Sequence, residues 1–519
     1  MSNIAGIDFG TTFSAIAILN EIGRPEIVPT GDDGSRILPS AVYFKPDGSG
    51  CLVGEGAVNS RKEHGCYDNC VRWIKKEMGE AEYSVSIMND SYSPSEISAM
   101  IIRKLVEGAS SNVGEIKDVV ISIPANYGET ARKATMDAAG VAGLNVVGIV
   151  NEPTAAALYY ASSQDVSGKV MIFDLGGGTF DVTLGTISGK ELDVVASCGD
   201  KNLGGYNFDS KLTEHFISRY REETGSELIE FKEDRATIED YAEEMKIALS
   251  KKDSVNVQLR GDAGRFRFAL SRSDFEEIIS TDVAKMEMLI ETVLDEANWS
   301  EEDVEQVLLA GGSSRIPAVR TMLKRLFGKE PCSANVDECV ALGAAIYSGL
   351  RLQEQAPEKV SAGVASGLRD IRVCEVANHA YGTISIGVDE VAETLEKRNT
   401  ILIRKNTPIP CEITEVFSTM TPNQGIINCK VTQASDNDAV DPDLVTILHK
   451  GQMKLPPNLP ANEPIEVTFS YDKNQRMNCV FLHKASGEKH HVKIDIKKGN
   501  SRVKTVKDLK GKISSIIIE

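Results

Sequence analysis

Two stretches of the chain share one order of apolar and polar positions. Residues 170–173 are apolar, Asp174 ends the run, Gly176, Gly177 and Gly178 follow, then Thr179 and Asp181, and an alternating run continues to Ile187. Residues 4–18 repeat it: an apolar run, Asp8, Gly10-Thr11-Thr12, then alternation. Each predicts a β-hairpin with a Gly-rich turn. Two copies of one hairpin predict an internally duplicated fold, with the two turns facing each other across a cleft. A third glycine turn, Gly311-Gly312-Ser313-Ser314-Arg315, lies between a short apolar run and a helix expected to start near Pro317.

Up to residue 349 the pattern alternates between strand and helix periods, as in an α/β domain. Strands are expected at 41–44, 119–124 and 146–150. Helices are expected from Ser93-Pro94-Ser95-Glu96, a capping box, to about residue 108, at 130–139, at 154–161, from 203–209 onward and at 237–250. A further helix, opened by Ser273-Asp274-Phe275-Glu276, is expected to run towards residue 296. Residues 70–79 read as a short helix or turn. Residues 350–369 are polar and rich in Gly, Ala and Ser, which marks a boundary. Beyond it come short alternating runs at 400–404, 412–419, 426–431, 465–471, 478–483 and 491–496, interrupted by Pro456, Pro457, Pro460 and Pro464. That spacing predicts a β-sandwich without a long helix. The expected division is 1–355, 356–376 as linker, 377–497, and a short basic tail, 498–519, forming a helix of a few turns or none.

At 519 residues the chain exceeds one core, and two to four domains are expected. The net charge of −19 disfavours nucleic acid and anionic membranes as partners. No apolar run approaches the roughly 18 residues of a membrane span, and the N-terminus has no basic segment of a signal peptide. None of the ten cysteines forms a C-x-x-C pair. Cys66 and Cys70, near His64, read as structural rather than as part of a metal site. Reduced thiols in a cytoplasmic protein are therefore expected.

The glycine turns carry no side chains that would block a ligand, so their N–H groups can face an anion such as phosphate. Asp8, Asp174, Thr179 and Asp181 beside them suit a hydrated Mg²⁺. Lys75 taken alone reads as a solvated surface lysine. Glu152, between a strand end and a helix start, reads as a cap acceptor or as a ligand residue.

Four segments together, Gly6-Ile7-Asp8-Phe9-Gly10-Thr11-Thr12, Asn151-Glu152-Pro153-Thr154-Ala155-Ala156-Ala157, Phe173-Asp174-Leu175-Gly176-Gly177-Gly178-Thr179-Phe180-Asp181 and Ala310-Gly311-Gly312-Ser313-Ser314-Arg315-Ile316-Pro317, resemble the 70-kDa heat-shock chaperone family, in an atypical bacterial-type form. The resemblance implies an actin-like (ribonuclease-H-like, duplicated) ATPase domain followed by an all-β peptide-binding sandwich, in a cytoplasmic stress-response protein. It implies ATP or ADP, Mg²⁺ and K⁺ as cofactors, with Asp8 and Asp174 holding Mg²⁺ through water. Gly10, Thr11, Thr12, Phe13, Gly176, Gly177, Gly178 and Thr179 would meet the phosphates. Lys75 would position the attacking water, with Glu152, Asp174, Thr179 and Asp181 around it. Gly204, Gly205, Glu243, Lys246, Ser250, Gly311, Gly312, Ser313, Arg315 and Asp337 match the adenosine side. Phe417, Met420, Ile427 and Cys429 would line a peptide groove, against the plainer reading of sandwich core. The implied partners are unfolded polypeptide, a J-domain co-chaperone and a nucleotide exchange factor.

Three departures from the family pattern stand out. Ile247 stands where a basic residue usually stacks on adenine. Arg372 and Cys374 interrupt an aliphatic linker at 370–376. The residues after the sandwich are too few for the helical lid. Two other readings compete: a small-molecule kinase of the same superfold, and a degenerate nucleotide switch such as an exchange factor.

Overall fold

Both glycine-turn stretches fold as hairpins: Asn3–Phe9 pairs antiparallel with Phe13–Leu19, and Gly168–Leu175 with Phe180–Ser188. A computed structural model describes residues 3–31, 34–64, 67–163, 166–228, 232–389, 394–473, 475–493, 506–514 and 516–519. In each hairpin the first strand also has a parallel neighbour, Ile116–Ile123 in one case and Gln306–Ala310 in the other. The two sheets thus share a plan, and each builds one lobe. Asp8 and Asp174 occupy the same place in that plan, at the C-terminal end of the first hairpin strand.

The lobes meet through helices Glu152–Ser163 and Cys339–Gln355, which are buried over most of their length. Small residues allow the approach. A Cβ at Gly343 would lie 1.7 Å from the Ala155 carbonyl oxygen, and one at Gly6 2.1 Å from the Ala345 nitrogen. Neither position tolerates a side chain without moving backbone.

The expected strands and helices of this region are present, with one cap displaced. Ser271, not Ser273, caps the helix: its hydroxyl accepts from the Asp274 N–H, and the Asp274 carboxylate accepts from the Ser271 N–H. The strand Gly264–Ser271 ends there in extended conformation, which fixes the cap two residues earlier. The helix expected to run to 296 is two helices, Arg272–Ile278 and Ser280–Ala297. Cys66 lies outside the described residues, and Cys70 begins the short strand Cys70–Arg72. Among the described residues no helix is long and apolar enough to cross a membrane.

The C-terminal sandwich comprises two four-stranded sheets. One runs Thr394–Ile403, Ala380–Asp389, Ile426–Ala434, Thr446–Lys454; the other runs Cys411–Ser418, Pro464–Tyr471, Met477–His483, Glu488–Lys493. Alternating inward residues such as Val467, Phe469, Cys479 and Phe481 fill the space between them. Strands Ala380–Asp389 and Thr446–Lys454 were not among those the sequence pattern marked. Residues 494–496, the end of the last expected strand, lie outside the described residues.

Two segments tie the sandwich to the lobes. Arg372–Val376, within the stretch expected as linker, is a strand. It pairs parallel with Glu191–Asp200 of the second lobe and antiparallel with Pro408–Ile409 of the sandwich. The tail also returns to the lobes. Helix Val506–Ser514 packs on helices Pro94–Val113 and Glu129–Val141, with Leu509 and Ile513 buried in the first lobe's core. Beyond it, the Cys51 N–H donates to the Ile517 carbonyl, and the Glu519 N–H to the Cys51 carbonyl, both at 2.9 Å.

Candidate functional site

The two hairpin turns and the third glycine turn open on one cavity of about 510 Å³ between the lobes. Asp8, Gly10, Thr11, Thr12, Phe13, Lys75, Glu152, Asp174, Gly176, Gly177, Thr179, Glu243, Lys246, Ser250, Gly311, Gly312, Ser313, Arg315 and Asp337 line it. Four expected residues stand behind the wall instead. A Cβ at Gly178 would lie 2.8 Å from Thr11, and one at Gly204 2.7 Å from the Gly178 nitrogen, so these glycines let the turns close on each other. Gly205 backs the same turn, donating its N–H to the Gly176 carbonyl. Asp181 faces Asp174 across the hairpin.

The sequence reading missed Tyr206 and Asp209, which also line the cavity. Asp209 receives the Lys246 ammonium at 2.7 Å, holding the lysine beside Gly205. The signal was present: Asp209 lies one turn into the helix that Gly204-Gly205 opens.

Lys75 is buried rather than solvated, at 4% exposure. The reason is local. Trp73 adopts a left-handed backbone, φ 58°, at the start of the short 3₁₀ turn Ile74–Glu77. That conformation is costly for a large side chain. It is held by Tyr206, whose ring lies 4.7 Å from the Trp73 ring, and by the Arg72 guanidinium over the indole. The turn directs Lys75 into the cavity, where its ammonium meets Glu152 at 2.5 Å. Burial alone would lower the Lys75 pKa, but Glu152, Asp8 and Asp174 more than offset this and raise it.

Around this one ammonium stand three buried carboxylates, Glu152, Asp174 and Asp181, and the half-buried Asp8 at the cavity wall. Burial and mutual repulsion push all three aspartates above the usual carboxylate range. One oxygen of Asp181 has no hydrogen-bond partner among the described residues. A buried cluster with excess negative charge and an open acceptor calls for a cation. The donor set is oxygen only, which matches Mg²⁺. The glycine turns facing it are a cradle that any Cβ would fill: at Gly177 it would sit 2.0 Å from the Thr12 hydroxyl. The residues present fit a nucleoside phosphate with its metal.

A family model described as Hsp70 protein matches residues 4–86 and 69–514. The chain belongs to the Hsp70 family. Hsp70 proteins are ATP-hydrolysing chaperones that bind unfolded polypeptide. The lobes and sandwich described above accord with the actin-like ATPase domain and β-sandwich that the Hsp70 family implies.

In this Hsp70 chain the linker strand reaches the neighbour of the acidic cluster. The Asn151 amide donates to the Glu375 carboxylate at 2.7 Å, and Asn151 directly precedes Glu152. Burial pushes the Glu375 carboxyl up to about 7, against hydrogen bonds from Thr154 and Asn151. A carboxyl that prefers its proton when docked binds more protons docked than free. Docking of the strand is therefore favoured at low pH and weakens as pH rises from the ordinary glutamate range through about 7. Half-buried His379 at the same interface is pushed down to about 4, so it opposes docking only once pH falls below the usual imidazole range. Between pH 8 and pH 6.5, amide exchange of residues 372–376, corrected for intrinsic rates, should therefore slow. Glu375→Gln should flatten that dependence; a variant as pH-sensitive as wild type would remove Glu375 from this role.

Of the linker's departures, Arg372 turns out to solvent, 3.4 Å from Glu191, and interrupts no apolar contact. The groove residues divide. Cys429 is fully buried in the sandwich core, because it lies on the inward face of Ile426–Ala434, so it is corrected to a core residue. Phe417 and Ile427 are half-buried against that core, and Met420 is exposed.

Proposed function

We propose that this chain hydrolyses ATP to control the binding and release of unfolded polypeptide segments. The observation that carries the reading is the continuity from cavity to sandwich: Lys75 to Glu152, Asn151 to Glu375, and the strand Arg372–Val376 to Pro408–Ile409. Asp8 and Asp174 are the residues that would hold Mg²⁺ through water, and the bound ion would neutralise phosphate charge. The amides of Gly10–Thr12 and Gly176–Thr179 bind the phosphates. Lys75 and Glu152 orient the attacking water, and buried Asp181 fixes the polar shell. Phosphoryl transfer to water needs such positioning and charge balance more than a covalent nucleophile. At the other end, Val416, Met420 and Ile426 are exposed apolar residues around the turn that joins Cys411–Ser418 to Ile426–Ala434, next to Phe417 and Ile427. Exposed apolar side chains around a turn between the two sheets suit an extended apolar peptide.

ATP turnover measured with and without an unfolded polypeptide tests the reading. Stimulation is the expected result. Phosphorylation of an added sugar would favour the kinase, and no turnover the nucleotide switch.

Ile247 is half-exposed on the cavity wall beside Lys246 and Ser250. An aliphatic side chain there offers adenine no cation. Ile247→Arg should tighten ADP binding by roughly two- to five-fold, the scale of an exposed cation–π contact. Equilibrium titration of both proteins checks it; equal or weaker binding by the variant would show that adenine does not stack at this position.

A further inference from the structure

Strand Thr446–Lys454 borders one sheet of the sandwich and strand Glu488–Lys493 borders the other, and the two edges pack together. Where they meet, His449 from the first strand and His490 from the second turn their Nε2 atoms towards each other, 3.3 Å apart, with ring centroids 5.5 Å apart. Neither ring is part of the cavity between the lobes, and neither takes part in the docking contacts.

The separation is chemically specific. Two imidazole nitrogens bound to one zinc ion at about 2.05 Å each, at the tetrahedral angle, stand about 3.3 Å apart. The backbone makes room for this approach. Gly451 lies two residues beyond His449 on the same strand face, and a Cβ there would fall 2.4 Å from His490 Nε2 and 2.6 Å from His449 Nε2. Any larger residue at 451 would enter the space between the two nitrogens.

We propose that His449 and His490 form a two-histidine site for a divalent transition-metal ion of the zinc type, which staples the two sheets at their shared edge. Without metal, one Nε2–H donates to the other Nε2. To bind, the donor ring moves that proton to its Nδ1, so both Nε2 lone pairs become ligands and no proton is released from the neutral pair. Burial, followed by the neighbouring His490, lowers the His449 pKa, which keeps the ring available as a ligand near neutral pH. The half-buried setting leaves the remaining coordination positions to water. A metal bound only by the folded sandwich raises its stability by mass action.

The test is titration of the full chain with zinc ion, in reducing agent without chelating thiols, read by calorimetry and by the unfolding temperature of the sandwich. The comparison is with His449→Gln and His490→Gln, each first shown to have the wild-type unfolding temperature without metal. Wild type should take up one equivalent with an affinity higher than either variant's by at least the roughly 10–100-fold that even indirect changes at metal sites cause. Its unfolding temperature should rise with zinc and return on chelation. Free cysteines offer competing thiols, and these are common to all three proteins. Equal zinc affinity in wild type and both variants, or no uptake by wild type, would overturn the site.

Discussion

Lys75→Ala is expected to lower single-turnover ATP hydrolysis by about 10²-fold or more while leaving ATP affinity within a few-fold of wild type. The magnitude is that of removing one preorganised electrostatic group from a water-excluded site. The split follows from where the groups lie. Binding draws on the amides of three glycine turns and on the acidic residues that suit a metal, none of which Lys75 supplies. Hydrolysis draws on the ammonium among the four carboxylates, and among the described residues no second lysine is paired with Glu152 to replace it. Lys75→Arg would not restore the rate, because a planar guanidinium cannot stand in for a compact ammonium at 2.5 Å from Glu152. Turnover by the alanine variant within a factor of a few of wild type would exclude the catalytic role. A loss of ATP binding equal to the loss of rate would reassign Lys75 to the phosphate site.

Arg132→Ala is expected to release the sandwich from the first lobe. Arg132 lies on helix Glu129–Val141 and is 1% exposed. Its guanidinium donates to the Tyr471 hydroxyl at 2.7 Å and to the Tyr127 carbonyl at 3.1 Å. Glu129 accepts from the Tyr381 and Tyr471 hydroxyls in the same buried knot. Deleting the guanidinium removes the buried donor to the Tyr471 hydroxyl and the positive charge that acts on half-buried Glu129. Losing a buried charged donor costs on the order of 2 kcal/mol, about thirty-fold in the docking equilibrium. Amide exchange of the linker strand and of Pro408–Ile409 should quicken together, while the buried strand Asn3–Phe9 keeps its protection. Unchanged exchange in the linker strand would mean that the knot does not hold the domains together.

What the sequence disclosed follows from how local each feature is. Asp8, Asp174 and the glycine turns were legible because a tight turn and an anion cradle both demand their residue types at adjacent positions. The burial of Lys75 was not, because it depends on a left-handed Trp73 braced by Tyr206, more than a hundred residues away in sequence. Strand Ala380–Asp389 was hidden by its own glycines. A Cβ at Gly382 would lie 2.2 Å from the Thr400 carbonyl oxygen, so the crowding that requires glycine also erases the alternation. Cys429 shows the converse: alternation says which residues share a face, and only the opposing sheet says which face is inside. The docking of Arg372–Val376 and the return of the tail are long-range pairings that no local pattern encodes.

The return of the tail changes the physics of domain movement. The sandwich is fastened to the lobes on both sides, by the linker strand before it and by helix Val506–Ser514 after it. The chain between Lys493 and Val506 can span no more than about 45 Å at full extension. A released sandwich therefore stays on a closed loop, and its redocking is an intramolecular event governed by an effective concentration in the millimolar range. Weak surface contacts then suffice to bring it back. Cutting the loop at either fastening should cost redocking far more than losing any single contact at the interface.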